Sequence, residues 1–394
     1  MSTPTTRLST GPVPAPPRWL TALAILGAAA FVLGLFIEPD RAWTGYLIGF
    51  HFFGSLALAG AVFLAFLALS GARWATALKR IPEAMTASIP LAGLVGVGLL
   101  FGLHSLYEWS HPGLVRLDPL LEHKSPYLNV TGFGIRLVGG FLLWTWFALM
   151  MVKRSRRVDS DPTRDSRAGD VKLAAVFLAV FAITWSLANF DWLMSLEPHW
   201  FSTMFSLYHL AGLACAGLSA VIILAIWLER RGTLHGVLRE EHLHDMGKLL
   251  FALTLFWVYL WYCQYMLIWY VDIPEETSYY LARKEGPWWL LVQTTMVLKW
   301  GVPFLALMGR KACRSRTLLV RVAGVVLVGH ALDLYVQVGP PMMGDTPLFG
   351  IWEIAPLVAL LAFFCRHTIK ALGAAPAVSQ NDPRLSDSLG YETN

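Results

Sequence analysis

Residues 42–70 read AWTGYLIGFHFFGSLALAGAVFLAFLALS, 29 positions with no charged side chain and a single histidine, His51. As a helix rising 1.5 Å per residue, this run crosses the roughly 30 Å hydrocarbon core of a bilayer with length to spare. Working outward, comparable apolar runs lie at 19–37, 87–106 and 131–152. Six more follow at 171–193, 199–228, 247–270, 287–308, 318–338 and 350–368. The pattern predicts an all-α polytopic membrane protein of about ten transmembrane helices.

Composition agrees. Hydrophobic residues make up 56% of the chain and charged residues 14%, and the mean hydropathy of +0.54 lies outside the range of ordinary soluble domains. The net charge of +5 does not point to nucleic acid, because Lys and Arg are scattered through short loops between apolar segments. Cys215, Cys263, Cys313 and Cys365 are isolated from one another, with no CxxC or CxxCH motif. No disulfide framework, iron-sulfur cluster or covalent haem is implied in this chain.

Alternate assignment of loops to the two sides of the membrane tests the helix count. The two tails and the even-numbered loops collect most of the Lys and Arg, whereas the opposite side holds Arg41, Arg116, Lys124, Arg136, Arg283 and Lys284. Lys299 falls inside the eighth helix. By the positive-inside tendency both termini are expected to be cytoplasmic, in a multi-pass protein of a bacterial inner membrane. The first apolar run follows Arg18 and contains small residues, as a signal peptide would, but it is long and its removal would break the alternation. The chain thus divides into a flexible tail (1–17), helices one to four (18–152), a charged loop (153–170, KRSRRVDSDPTRDSRAGD), helices five to ten (171–370) and a second flexible tail (371–394).

The halves echo each other weakly. Helix two carries His51-Phe-Phe-Gly54 and helix six His209-Leu-Ala-Gly212, while helices five and nine carry Asp191 and Asp333 towards their outer ends. An offset of four helices preserves orientation and would make a parallel repeat of two four-helix bundles. Chance similarity among apolar segments competes with that reading.

An ionisable group inside a membrane is costly unless paired or hydrated, so each is a functional candidate. Lys299 lies too deep to reach the interface. His330 and Asp333 are three residues apart on the neighbouring helix, on one face. Lys299, His330 and Asp333 are expected to form a buried proton-relay group, with His51 and His209 as further proton-pathway candidates. A structural ion pair is the competing account. At the outer end of helix five, Asp191, Glu197 and His199 fall together among aromatic residues, where a carboxylate and a histidine could accept protons from a quinol head group. Glu275 and Glu276 add acid to the same side, as a proton exit, a docking surface or simply solvated loop charge. His242-Leu-His244-Asp245 has metal-ligand composition but lacks a spaced third or fourth ligand. Axial ligation of haem b by two of His51, His104, His209 and His330 is a further possibility, against hydrogen-bonded packing histidines.

The string NFDWLMSLEPHWFSTMFSLYHLAG at 189–212 resembles the ActF-type membrane subunit of bacterial alternative complex III. HLHDMGKLLF at 242–251, WYCQYMLIWY at 261–270 and IPEET at 273–277 are similar to the same family. The likeness runs from about residue 19 to 370 and thins in the first four helices and the tails. Lys299 departs from it, since a neutral polar residue is expected before Val302-Pro-Phe304. The resemblance implies an NrfD-like fold of two four-helix bundles flanked by two extra helices. It also implies a quinol:cytochrome c oxidoreductase that holds ubiquinone or menaquinone. Its partners would be a paralogous ActC-type membrane subunit, a periplasmic iron-sulfur subunit and cytochrome c subunits that carry the haem and iron-sulfur clusters. Under this reading Asp191, Glu197, His199, Glu275 and Glu276 are outer-face candidates for quinol or proton exit. A proton-coupled transporter and a haem b membrane cytochrome are the alternatives.

Overall fold

The computed structural model describes residues 11–160, 167–379 and 381–391. Ten helices in it are long and apolar enough to cross a membrane. They are α1 (Arg18–Ile37), α2 (Pro39–Ser70), α3 (Arg80–Phe101), α4 (Val130–Asp159), α5 (Arg167–Leu196), α6 (Met204–Arg230), α7 (Glu240–Val271), α8 (Gly286–Leu307), α9 (Arg316–Met343) and α10 (Ile351–Leu372). With no strand among the described residues, the class is an all-α polytopic membrane protein.

Packing sorts the helices as the sequence echo anticipates. In one bundle α2 packs on α3 and α5, with α4 closing the square; in the other α6 packs on α7 and α9, with α8 closing it. The bundles meet where α2 touches α6 and α9. Helices α1 and α10 pair with each other against the outside of α2. The two central helices are therefore the most buried, and α1 is the most open to lipid. Without a hydrophobic force between helices in lipid, such seams need small residues that let backbones approach. A methyl group at Gly217 of α6 would lie 2.2 Å from the Cβ of Ala59 of α2, so this crossing has no room for a side chain there.

Several helix ends differ from the apolar runs, and for four of them the reason is local. α3 begins at Arg80 rather than 87 because its charges are satisfied in place: Arg80 bonds Glu83 at 2.5 Å and also Asp159, and Ser155 Oγ donates to Glu83. α6 begins at Met204 rather than 199, since residues 197–203 form a turn through Pro198. Much of the loop expected over 153–170 is helical, with α4 running to Asp159 and α5 starting at Arg167, tied by Arg154 to Asp170 at 2.6 Å; residues 161–166 lie outside the described residues.

Described residues of both tails make contacts with the helical body. Thr233 donates to the carbonyl of Pro12 at 3.0 Å. After α10 the chain crosses the end of the molecule that carries both tails, here the tail face. On that path Lys79 bonds Asp382 at 2.6 Å, Ser388 Oγ contacts the backbone of Trp74 and Ala77 and the His242 ring, and Tyr391 donates to Asp245 at 2.8 Å. Polar composition concealed this docking because its bonds are made by charged and hydroxyl groups rather than by apolar area. Burial opposes the charge on Asp382, yet the Arg384 hydrogen bond and the Lys79 charge hold its carboxyl down at about 2. Its folded pKa being depressed, the stability it contributes is present above the unfolded value near 3.8 and is lost as pH falls through about 2. Asp382→Asn is therefore expected to release the tail at neutral pH, read as faster proteolytic cleavage between Gly373 and Tyr391. Wild-type protein should keep the tail protected down to about pH 4.

Candidate functional site

The site assembles where α6, α7, α8 and α9 face one another. Over Val297–Gly301 the backbone of α8 widens into a π-helical turn, a distortion that often marks functional sites. It carries the Lys299 side chain, fully buried, into the bundle. There Lys299 Nζ donates to Asp333 Oδ2 at 2.7 Å, lies 3.5 Å from His330 Nδ1 and stands 3.9 Å over the ring of Trp257. The second carboxylate oxygen of Asp333 accepts from the hydroxyl of Tyr208 on α6. The ammonium thus has a carboxylate, an imidazole nitrogen and an aromatic face, enough to offset much of the cost of burying it. Gly212 makes room: a methyl group there would lie 3.2 Å from the His330 ring and 3.5 Å from Nζ.

The structure brings the expected trio together, with Tyr208 as a fourth member that sequence reading missed. A tyrosine in an apolar helix gives no signal of its partner, and Tyr208 stands 125 positions from Asp333. His51 and His209 lie beside the trio, their rings 5.3 Å apart and nearly edge to face. His51 Nε2 is 3.0 Å from Asn189 Oδ1, while Asn189 Nδ2 donates to the Trp185 carbonyl. This assigns the proton to Nε2 and leaves Nδ1, 3.4 Å from Ser55 Oγ, as acceptor. His209 differs: among the described residues neither ring nitrogen has a partner, nor does His330 Nε2. Of the three imidazoles between Lys299 and the seam between bundles, His330 and His209 thus keep open nitrogens, while those of His51 are engaged.

His51 does not fit as a member of a haem pair. Axial ligands need two ring nitrogens converging on one metal with a flat slot between them. Both His51 nitrogens are engaged by Asn189 and Ser55, and its ring packs against Trp185, Trp192 and His209.

On the outer side the sequence expectation is corrected, since Asp191, Glu197 and His199 do not act as a group. Each has its own partner. Asp191 is held bidentately by Arg136, Nε to Oδ2 at 2.7 Å and Nη2 to Oδ1 at 2.9 Å. Glu197 bonds Arg283 at 2.6 Å, and His199 bonds Asp118 at 2.6 Å. Arg136 and Arg283 looked like ordinary interfacial cations from sequence, because ion pairing across 55 and 86 positions leaves no local mark. Glu275 and Glu276 fall in the first turn of a short helix, Pro274–Lys284, where their charge complements the helix dipole. His242 and Asp245 of the HLHD run serve the α7 N-terminus and the docked tail: His242 Nδ1 accepts from Arg239 N at 3.0 Å, and Asp245 accepts from Tyr391.

A narrow cleft borders the buried group. Asp333 and Tyr208 line it together with Trp261, Tyr265, Tyr280, the buried Arg283 and the exposed Lys284. Its free volume of about 20 Å³ is room for about one water. Beside it Tyr279 donates to Gln337, and Arg283 donates to the carbonyls of Val336 and Gln337 at 3.1 and 2.8 Å. Burial pushes the Tyr279 phenol up, so it remains a donor. Burial opposes the Arg283 charge, but the Glu197 carboxylate bonded to it holds it above its usual range.

The two bundles carry matching ion pairs. A cation on the third helix of each, Arg136 on α4 and Lys299 on α8, meets an acid on the fourth, Asp191 on α5 and Asp333 on α9. The four-helix offset relates the pairs, but the second lies deeper and opens onto the cleft. No family model matches this sequence, and no curated protein matches it significantly. What the fold and site define is a multi-pass membrane protein with a buried ionisable cluster that borders a narrow cleft.

Proposed function

We propose that this chain is an integral subunit of a quinol-oxidising electron-transfer complex of the alternative complex III kind, and that its Lys299 cluster conducts protons. The observation that carries the reading is the Lys299–Asp333 pair itself, buried among apolar helices with its carboxylate on a narrow cleft that the exposed Lys284 also lines. Such groups are kept in membranes where protons or ions move. Oxidation of one quinol releases two electrons and two protons. The electrons pass to iron-sulfur and haem groups on periplasmic partners and then to cytochrome c. Protons need a hydrated route, and Asp333, Tyr208 and His330 offer exchangeable positions along one. A cleft wide enough for about one water suits a proton and not a quinone ring, so the quinol seat, for ubiquinone or menaquinone, falls to a paralogous ActC-type membrane subunit. The excess of Lys and Arg in the loops of the tail face supports a cytoplasmic position for that face, in what this reading takes to be a bacterial inner membrane.

The test is purification of tagged chain from its native membrane in mild detergent, with a visible spectrum and an assay of quinol-dependent cytochrome c reduction. Haem and iron-sulfur partners arriving with that activity are expected. A lone, colourless chain recovered from intact membranes would overturn the reading. One observation favours a second reading, a proton-coupled transporter: α8 is interrupted by its π turn and by Pro303 beside Lys299, as transporter helices are near their coupling sites. Substrate uptake by vesicles holding this chain alone, driven by a pH gradient, would select it.

A further inference from the structure

A second cleft is much larger than the one beside the Lys299 group. It lies at the tail face between the ends of α2, α4 and α5, roofed by the docked C-terminal segment, and has a volume of about 380 Å³. Its two parts differ in chemistry. The part towards the bilayer is walled by Leu64, Leu67, Met151 and Leu173. The part at the membrane boundary carries Arg73, Lys79, Arg167 and Arg384 against the carboxylates of Asp170 and Asp382. Two further groups bear on this balance: Asp387 pairs with Arg73 at 2.9 Å, and Arg154 pairs with Asp170 at 2.6 Å. Lys79 and Arg384 share Asp382, and the side chain of Arg73 is 62% exposed. Among the described residues that line the cleft, cations outnumber acids, and Arg73 has directions left open for further acceptors.

We propose that this cleft binds one anionic phospholipid, its phosphodiester among Arg73, Arg167 and Arg384 and the start of an acyl chain along Leu64, Leu67, Met151 and Leu173. A phosphodiester suits guanidinium groups, which offer paired N–H donors in a planar fork. The order of the walls, apolar below and basic above, follows the order of a lipid entering from the leaflet, and basic pockets between helices on the cytoplasmic side are where anionic head groups bind. A soluble phosphate would use only the upper half and leave the apolar wall wet. The lipid would also bridge the first bundle to the C-terminal segment, since Arg384 belongs to that segment and Leu64 to α2. This inference concerns surfaces remote from Lys299 and stands whether or not the chain serves in quinol oxidation.

The experiment uses the full chain, delipidated in detergent and offered dioleoyl phosphatidylglycerol, dioleoyl phosphatidylcholine or inorganic phosphate, with bound adducts counted by native mass spectrometry. One phosphatidylglycerol per chain is expected, in clear preference to phosphatidylcholine. Removing two cations in Arg73→Gln/Arg384→Gln should weaken it roughly 20-fold, at about fivefold for each charge near an anionic head group. Lys311→Gln, on the second bundle, should leave it unchanged. If the double variant loosens the tail under limited proteolysis, Leu67→Trp keeps every charge, fills the apolar wall and should also expel the lipid. Equal binding of phosphatidylcholine, retention of phosphatidylglycerol by Leu67→Trp together with the double variant, or displacement by millimolar phosphate would each overturn the proposal, the last in favour of a soluble anion.

Discussion

Lys299→Met is expected to destabilise the chain by about 3–5 kcal/mol, the range found when one partner of a buried ion pair is removed. The Asp333 carboxylate would lose its cation at 2.7 Å and keep only the Tyr208 hydroxyl as donor. Asp333→Asn should cost less, because Asn still accepts from Tyr208 and the ammonium keeps the Trp257 face 3.9 Å away. The double variant Lys299→Met/Asp333→Asn removes both charges while preserving shape and the Tyr208 acceptor, and it should recover most of the stability lost by Lys299→Met alone. Thermal unfolding of the purified chain in one detergent measures all three. Activity should not follow stability. If the pair conducts protons, the double variant assembles yet lowers quinol-driven turnover by about 100-fold, the lower end of what positioned proton-transfer groups supply. A stable, assembled double variant with full turnover would reduce Lys299 and Asp333 to a packing device.

How far the sequence discloses this arrangement depends on whether a residue's partner lies on its own helix. The ten spans are legible because lipid imposes a length and a hydropathy on each of them. His330 and Asp333 are legible as a pair through their spacing on one helix, and Lys299 through its depth. Tyr208 is not, because nothing in an apolar helix indicates which face a neighbour from another helix will meet. Hydropathy errs at α3 for a related reason: it penalises Arg80 and Glu83 as exposed charges, whereas both are buried and bonded. The outer acids fail differently. Nearness in sequence suggested that Asp191, Glu197 and His199 act together, but a helix end and a turn at Pro198 send them to Arg136, Arg283 and Asp118.

The four-helix offset was readable from two motifs, and the packing gives it content. Each bundle places a cation on its third helix against an acid on its fourth, so a duplicated ancestral unit would account for both pairs. Their surroundings have diverged. The Arg136 pair sits within two turns of the outer end of its helix and takes additional support from Tyr127, whose carbonyl accepts from Nη2 at 3.0 Å and whose ring lies 4.0 Å from the guanidinium carbon. The Lys299 pair lies deeper, on a distorted helix, beside imidazoles with unpaired nitrogens and on the narrow cleft. The first set of features fixes a helix; the second suits the proton route proposed for this chain.

That divergence makes a sharp expectation for the first pair. Arg136→Met should destabilise the chain by about 3 kcal/mol, since it leaves Asp191 buried without a cation and removes two hydrogen bonds at once. Arg136→Lys should recover only part of this, because an ammonium cannot bond both carboxylate oxygens in the fork geometry of a guanidinium. Arg136→Met/Asp191→Asn should again be close to wild type in stability. Turnover per assembled complex, however, should stay within about twofold of wild type in every one of these variants, as expected of a pair whose net effect is structural. The measurement is the same unfolding series and the same quinol-dependent assay used for Lys299, made in parallel. A large loss of turnover in the Arg136 double variant would mean that both bundles carry protons, and that the depth of the second pair is not what distinguishes it. Unchanged turnover there, beside a collapse in the Lys299 series, would assign proton movement to one half of a duplicated fold.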